Sequence, residues 1–348
     1  MIWNGTLWRA LLLGVPIDGV DALPWGRALA AGDHADRLLG IGRAFLLGYD
    51  TTLMDGSHRG IERTLALLDP HQVGFAREGV AMGLVVRAFP RRQSGAERLG
   101  RFIRAAEGRW ALLDHIGAGF ACGSLGRSPR YLLPSLDPLL AYYVFDGLGF
   151  RDGILRTRRT IERTRDRKGM LPVERRHYEY GVGRAIWFVK GAEVDAIAAQ
   201  LARFPAQRRG GLWAGVGFAA AYAGGPDERA LGRLKIAAGM HVDDLVFGCT
   251  MGCYQRVVAG SQVAHTAHAS SALGGAQPHE LAELALTEMR ATSVDSSAPD
   301  EAAEDFRRRV TRRVTALRTK GKERFRPSST GVGVGASTDP WGAYARPT

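Results

Sequence analysis

Between residues 66 and 260 the chain alternates two kinds of segment, one small and apolar on all sides, the other apolar on a single face. The first kind is marked by glycine clusters: REGVAMG (77–83), HIGAGFACG (115–123), FDGLGFRDG (145–153), YGVGRAIWF (180–188), WAGVGFAAAYAGG (213–225) and VFGCTMGC (246–253). Their leading glycines, Gly79, Gly117, Gly147, Gly181, Gly215 and Gly248, are spaced 38, 30, 34, 34 and 33 residues apart. A period near 34 is the length of a two-helix unit. The second kind of segment follows the clusters. Val194, Ile197, Leu201 and Phe204 fall at helical spacing before Pro205, and Leu231, Leu234 and Ala238 do so between Pro226-Asp227 and Gly239, which supply start and stop signals.

The flanks carry helical patterns of their own. Ile41, Phe45, Leu46 and Tyr49 share a face near the start, residues 276–290 read as a helix, and Phe306, Val310, Val314 and Leu317 form a stripe near the end. The pattern predicts an all-α protein, a helical-hairpin repeat in a solenoid-like array of about six glycine-rich units with terminal capping helices. It forms one domain over 1–325, with an N-terminal cap over about 1–65, repeats over about 66–260 and C-terminal helices over about 276–325. Residues 326–348, rich in Gly, Ser, Pro and Thr without a periodic face, are expected to be a disordered tail. The charged run 158–176 is expected to be solvated.

The stretch GVGFAA (215–220) satisfies the GxGxxG/A pattern of a dinucleotide-binding turn. That turn needs a β-strand before it, and FPAQRRGGLW precedes it here. Glycine inside a helix costs roughly 0.8–1 kcal/mol relative to alanine, so the clusters predict a close neighbour, and a helix backbone is favoured over a phosphate.

Composition narrows the class. The chain has 348 residues, 45% of them hydrophobic, enough for a substantial core. No apolar run is long enough for a transmembrane helix, and the first residues lack the basic flank of a signal peptide, so a cytoplasmic location is expected. Three cysteines, Cys122, Cys249 and Cys253, argue against a disulfide framework. The net charge of +12 is concentrated: residues 307–326 hold ten Lys/Arg against Glu323 alone, and 151–176 hold ten against four acids. The first stretch could dock an acidic carrier protein or be a solvated helix. Poor aromatic interleaving disfavours nucleic acid.

Arg184 is the sharpest candidate for chemistry, a guanidinium between Gly183 and the apolar run AIWF. It would lie on a buried helix and need a carboxylate or an anionic ligand, with Asp146, Glu179 and Asp195 as in-fold partners. His177 and Glu179, one turn earlier, could do acid/base work. Arg184, Glu179, His177 and Asp146 are the catalytic candidates, and Trp187, Trp213, Tyr222 and Phe150 the candidate walls of an apolar binding groove. Asp243 and Asp244 resemble the start of the aspartate-rich motif of class I terpene synthases, although a helix N-terminus explains them more simply. Cys249, Cys253, His265 and His268 lack zinc-finger spacing and are read as core thiols and loop histidines. No metal site and no cofactor are expected.

At DGLGFRDG and at GVGRAIWFVKGAEVDAIAAQLARFPAQRRGGLWAGVGFAAAYAGG, together with WRALLLGVP near the start and DFRRRV near the end, the chain resembles a bacterial family of unknown function associated with enediyne polyketide biosynthesis. The resemblance covers roughly residues 9–318. It departs where Glu179 stands in place of Asp, Tyr180 in place of an amide, and cysteines in an alanine-rich segment. It implies an accessory protein that handles or modifies a polyene-like intermediate, with polyketide synthase or carrier protein as partners. A noncatalytic scaffold that docks those domains is the alternative, and a magnesium-dependent isoprenoid cyclase a minor third. Whether bonds are made is left open.

Overall fold

The computed structural model describes residues 32–89, 95–293 and 298–324. The expected tail and residues 1–31 of the expected N-terminal cap lie outside the described residues, which are largely helical and contain no strand. The helices are α1 (Ala35–Met54), α2 (His58–Leu65), α3 (Pro70–Ala88), α4 (Gly95–Ala105), α5 (Ala111–Ser124), α6 (Tyr143–Leu155), α7 (Pro172–Val189), α8 (Val194–Ala202), α9 (Ala206–Tyr222), α10 (Glu228–Ala238), α11 (Val242–Val258), α12 (Ala264–Ala269), α13 (Pro278–Ala291) and α14 (Pro299–Arg324).

The six glycine clusters lie in α3, α5, α6, α7, α9 and α11, and each of these helices packs on the next, with α1 before the row and α13 after it. What brings them together is visible in α7. A methyl group added at Gly181 would run into the Asp146 carbonyl of α6, and one at Gly183 into the Leu212 carbonyl of α9. Two residues apart on a 3.6-residue turn is about 200°, so a GxG pair exposes bare backbone on opposite sides of one helix. α5 and α9 repeat the device, Gly117 and Gly119 facing α3 and α6, and Gly215 and Gly217 facing α7 and α11. Residue numbers advance together across each contact: Gly211 meets Glu179, and Gly215 sits between Tyr180 and Arg184. Neighbours therefore run parallel, and each must be returned by an intervening segment.

Those return segments are less uniform than a two-helix unit requires. α8 and α10 are amphipathic helices with the expected faces, Ile197 and Leu201 on one, Leu231 and Leu234 on the other, all buried. Asp227 caps α10 through Ala230 N at 2.7 Å, and Gly239 ends it with φ +52°. Between α5 and α6, however, the chain makes two single 3₁₀ turns at Pro129–Tyr131 and Leu133–Ser135, because Pro129 and Pro134 have no N–H to continue a helix. Between α6 and α7 it makes a π-helical turn, Arg158–Glu162, whose Thr160 and Ile161 are buried in a stretch expected to be solvated.

The row curls until non-neighbours touch. Arg184 of α7 reaches Glu78 of α3, Phe75 of α3 meets Tyr222 of α9 with ring centroids 4.9 Å apart, and Gln255 of α11 donates to the Arg109 carbonyl before α5 at 2.9 Å. The space inside is filled by side chains of one large core. α14 lies against α11 and α13, held by Phe306, Val310 and Val314, all buried. No helix among the described residues is long and apolar enough to cross a membrane.

Candidate functional site

The close approach of the glycine helices leaves little room for side chains between them, so polar groups gather on their inward faces. Arg184 is 3% exposed. Its Nη1 donates to Asp146 Oδ1 at 2.9 Å, and its Nη2 lies 3.3 and 3.2 Å from the two carboxylate oxygens of Glu78. The guanidinium carbon stands 4.7 Å from the Phe150 ring centroid and 5.3 Å from that of Phe218, a cation–π sandwich that helps a buried charge. The triad ties α3, α6 and α7 together.

Two carboxyls share one guanidinium, and the second cannot be ionised cheaply out of water. Burial pushes Glu78 up to about 7 against the pull of Arg184, with Asp146 adding to the rise. Burial likewise pushes Asp146 up to about 6. Both carboxyls are thus biased toward the protonated form.

The remaining catalytic candidates sit elsewhere. Glu179 is paired with Arg208, its oxygens 2.7 and 3.1 Å from Nε and Nη2. His177 donates from Nδ1 to the Val173 carbonyl at 2.8 Å and is packed among Tyr142, Tyr143 and Tyr180. Burial holds it down at about 4, so it is neutral. The structure therefore brings Arg184 and Asp146 together and leaves His177 and Glu179 out. Asp195 pairs with Arg233 on the surface.

The candidate groove walls are inside. Trp187 and Tyr222 are 0% and 1% exposed, Trp213 is buried with them, and Trp187 Nε1 donates to the Gly224 carbonyl at 3.1 Å. Phe150 is half-buried. Cys249 and Cys253 are buried, His268 is exposed, and His265 is engaged by Arg37. Asp243 accepts from Arg318 at 2.7 Å, and Asp244 lies 3.6 Å from His241. Among the described residues no three of His, Cys, Asp and Glu converge as metal ligands.

Residue-by-residue reading missed Glu78 and a further buried pair, Arg77 with Asp114 at 2.8 Å. A signal for Glu78 was present: it precedes the leading glycine of its cluster, as Asp146 does in its own, and the two occupy corresponding places on parallel helices. Among the described side chains of the basic C-terminal stretch, Arg307 pairs with Glu304 and Arg318 with Asp243. Arg309 and Arg313 both bond Glu288 at 2.8 Å, and Arg308 and Arg312 are exposed, Arg308 beside Asp305.

One cavity, about 470 Å³, opens at an end of the row. It lies where α1, α3 and α12 begin and where α9 and α11 finish. Its walls include the apolar side chains Ile41, Phe75 and Val263 together with Arg37, Arg256 and His265.

A family model described as a protein of unknown function, DUF1702, matches residues 8–314. No curated protein and no solved structure matches the chain.

Proposed function

The chain belongs to the DUF1702 family, and from that premise we propose that it is an accessory protein of enediyne-type polyketide biosynthesis, acting in the cytoplasm, which binds and shields a polyene-like intermediate. In this reading its glycine-rich units are copies of one helical unit, about six, wound into a solenoid-like array, and no bond is made or broken by the protein. The pathway comes from the resemblance carried by DGLGFRDG and the 181–225 segment.

The contrast between the buried acid/base groups and the end cavity carries the binding reading. Glu78, Asp146, Arg184 and Glu179 are each 1–3% exposed and engaged by one another or by Arg208. A general acid or base must come within hydrogen-bond reach of the substrate, and these groups spend that reach on the fold. The cavity, by contrast, is open and lined by apolar side chains with a few polar groups among them, the form in which a small-molecule site is usually found.

Reconstitution of a cognate polyketide synthase and thioesterase, with the released products followed by mass spectrometry, tests this. The expected result is a change in yield or chain length that saturates near one equivalent of protein per intermediate. A trace of protein converting many equivalents to a new product would overturn the noncatalytic reading. An unchanged product spectrum with retention of the protein on the synthase would favour docking through exposed Arg308 and Arg312.

A further inference from the structure

Buried arginines in this fold come in two kinds. Arg77, Arg184 and Arg208 each have a carboxylate within 2.7–3.2 Å. Arg256, on α11, is 0% exposed, and its hydrogen bonds go to carbonyls: Nη1 to His71 O at 3.0 Å and Ser261 O at 3.2 Å, Nη2 to Tyr222 O at 2.5 Å. Its Nε is buried without a partner, as are the nearby Tyr222 hydroxyl and Ser261 Oγ. The guanidinium carbon stands 3.9 Å from the Tyr222 ring centroid. Ring faces and the C-terminal end of α9 offer partial negative charge, on the order of half a unit from a helix end, and among the described residues no carboxylate bonds to it. An ionised group out of water without a counter-ion is costly.

Arg256 lines the end cavity, and the cavity repeats its polarity. Arg37 can only donate, so its bond to His265 Nδ1 at 3.0 Å leaves that nitrogen bare. Nε2–H then donates to the Tyr222 carbonyl at 3.1 Å. His265 is thereby fixed neutral, and burial with Arg256, Arg37 and His71 holds it at about 4. His71 is lowered for similar reasons, with Asp69 opposing. Among the described residues the one carboxylate on the cavity wall, Asp36, is at the exposed rim beside Arg37. Ile41, Phe75, Val263 and Ala223 form the apolar remainder.

We propose that this cavity binds an oxyanion carried on an apolar chain, a carboxylate or phosphate monoester, whose head pairs with exposed Arg37 and balances the charge of Arg256 buried behind the wall, and whose chain lies along Ile41, Phe75 and Val263. The site deepens the binding function proposed above and rests on it only for the natural ligand; the chemistry of recognition belongs to the cavity itself.

The test is calorimetric titration of the full chain with decanoate, decyl phosphate, decanol and inorganic phosphate. One saturable site for decanoate or decyl phosphate is expected, about tenfold or more tighter than for decanol, since a charge-assisted hydrogen bond is lost with the alcohol. The better of the two acids identifies the head group, and competition by inorganic phosphate alone would make the chain dispensable and overturn the proposal. Arg37→Ala, at the exposed rim, should weaken binding severalfold without unfolding the protein. Val263→Trp should block the site while leaving every charge in place, which keeps the test decisive if Arg256→Gln fails to fold. Equal affinity for decanol and decanoate, unaltered binding in both the Arg37 and Val263 variants, or no saturable binding would overturn it. Because no synthase is present, this assay can fail while the reconstitution succeeds, and the reverse.

Discussion

Gly215→Ala isolates the feature on which the packing depends. The new methyl carbon would lie 1.9 Å from the Tyr180 carbonyl oxygen and 2.9 Å from Arg184 N, both backbone atoms of α7 that cannot rotate away. Ordinary contact begins near 3.5 Å, so α7 and α9 must separate by more than an ångström or shear. Overpacking a core costs about 1–3 kcal/mol and sometimes more, and a backbone-to-backbone clash belongs at the upper end. Alanine returns about 0.8–1 kcal/mol of helix propensity, which leaves a net loss of about 2 kcal/mol. Gly232→Ala supplies the control. That glycine is also in a helix, α10, but nothing lies within 4 Å of where its methyl would go. It should gain the propensity term alone, about 0.8–1 kcal/mol. At about 2.1 cal/mol/K of unfolding entropy per residue, a chain of 348 residues shifts by about 1.4 °C per kcal/mol, so thermal unfolding should fall by about 3 °C for Gly215→Ala and rise by about 1 °C for Gly232→Ala. Equal shifts, or a stabilised Gly215→Ala, would refute the account of the glycines as contact residues.

The Arg184 triad makes stability depend on pH in a defined sense. Glu78 is raised from its ordinary range to about 7, so the folded state binds more protons than the unfolded one between about pH 4.5 and 7. The contribution of Glu78 is therefore present in acid and lost as pH rises through that window. Glu78→Gln, which mimics the protonated form, should gain on the wild type in urea unfolding as pH is raised from 5 to 8; a constant difference would refute the assignment. The thiols give a simpler check. All three are buried, burial pushes Cys122 up to about 12, and the Cys253 thiol is raised by Cys249 and by burial. Thiolate is the reactive form, so a thiol reagent should titrate none of them in the native protein and all three in denaturant. Rapid native labelling would contradict the burial.

What the sequence determined by itself was the class and much of the local structure. Helical periodicity, Pro and Gly punctuation and the spacing of the glycine clusters are properties of a few neighbouring residues, and α8, α10 and α13 follow them. α13 opens at Gln277, whose N–H is bonded by Glu280 at 2.7 Å, one residue from where the pattern placed it. Glycine's destabilising effect in a helix interior was also enough to require a close neighbour, and that neighbour is a helix backbone at Gly181, Gly183, Gly215 and Gly217.

Only the tertiary structure decided which charges meet and which side chains face a space. Arg184 was expected to pair within the fold, and Asp146 was among its expected partners, but Glu78 lies 106 residues away and comes within reach only because the row of helices curls. Trp187, Trp213 and Tyr222 have the composition of a groove wall and the burial of a core, since a helix packed on both sides has no outward face. Arg256 looks ordinary in TMGCYQRVV. What sets it apart among the described residues is that its hydrogen bonds go to carbonyls and to no carboxylate, at the place where α3, α9 and α11 converge, and charge balance at such a convergence depends on distances that no local pattern encodes.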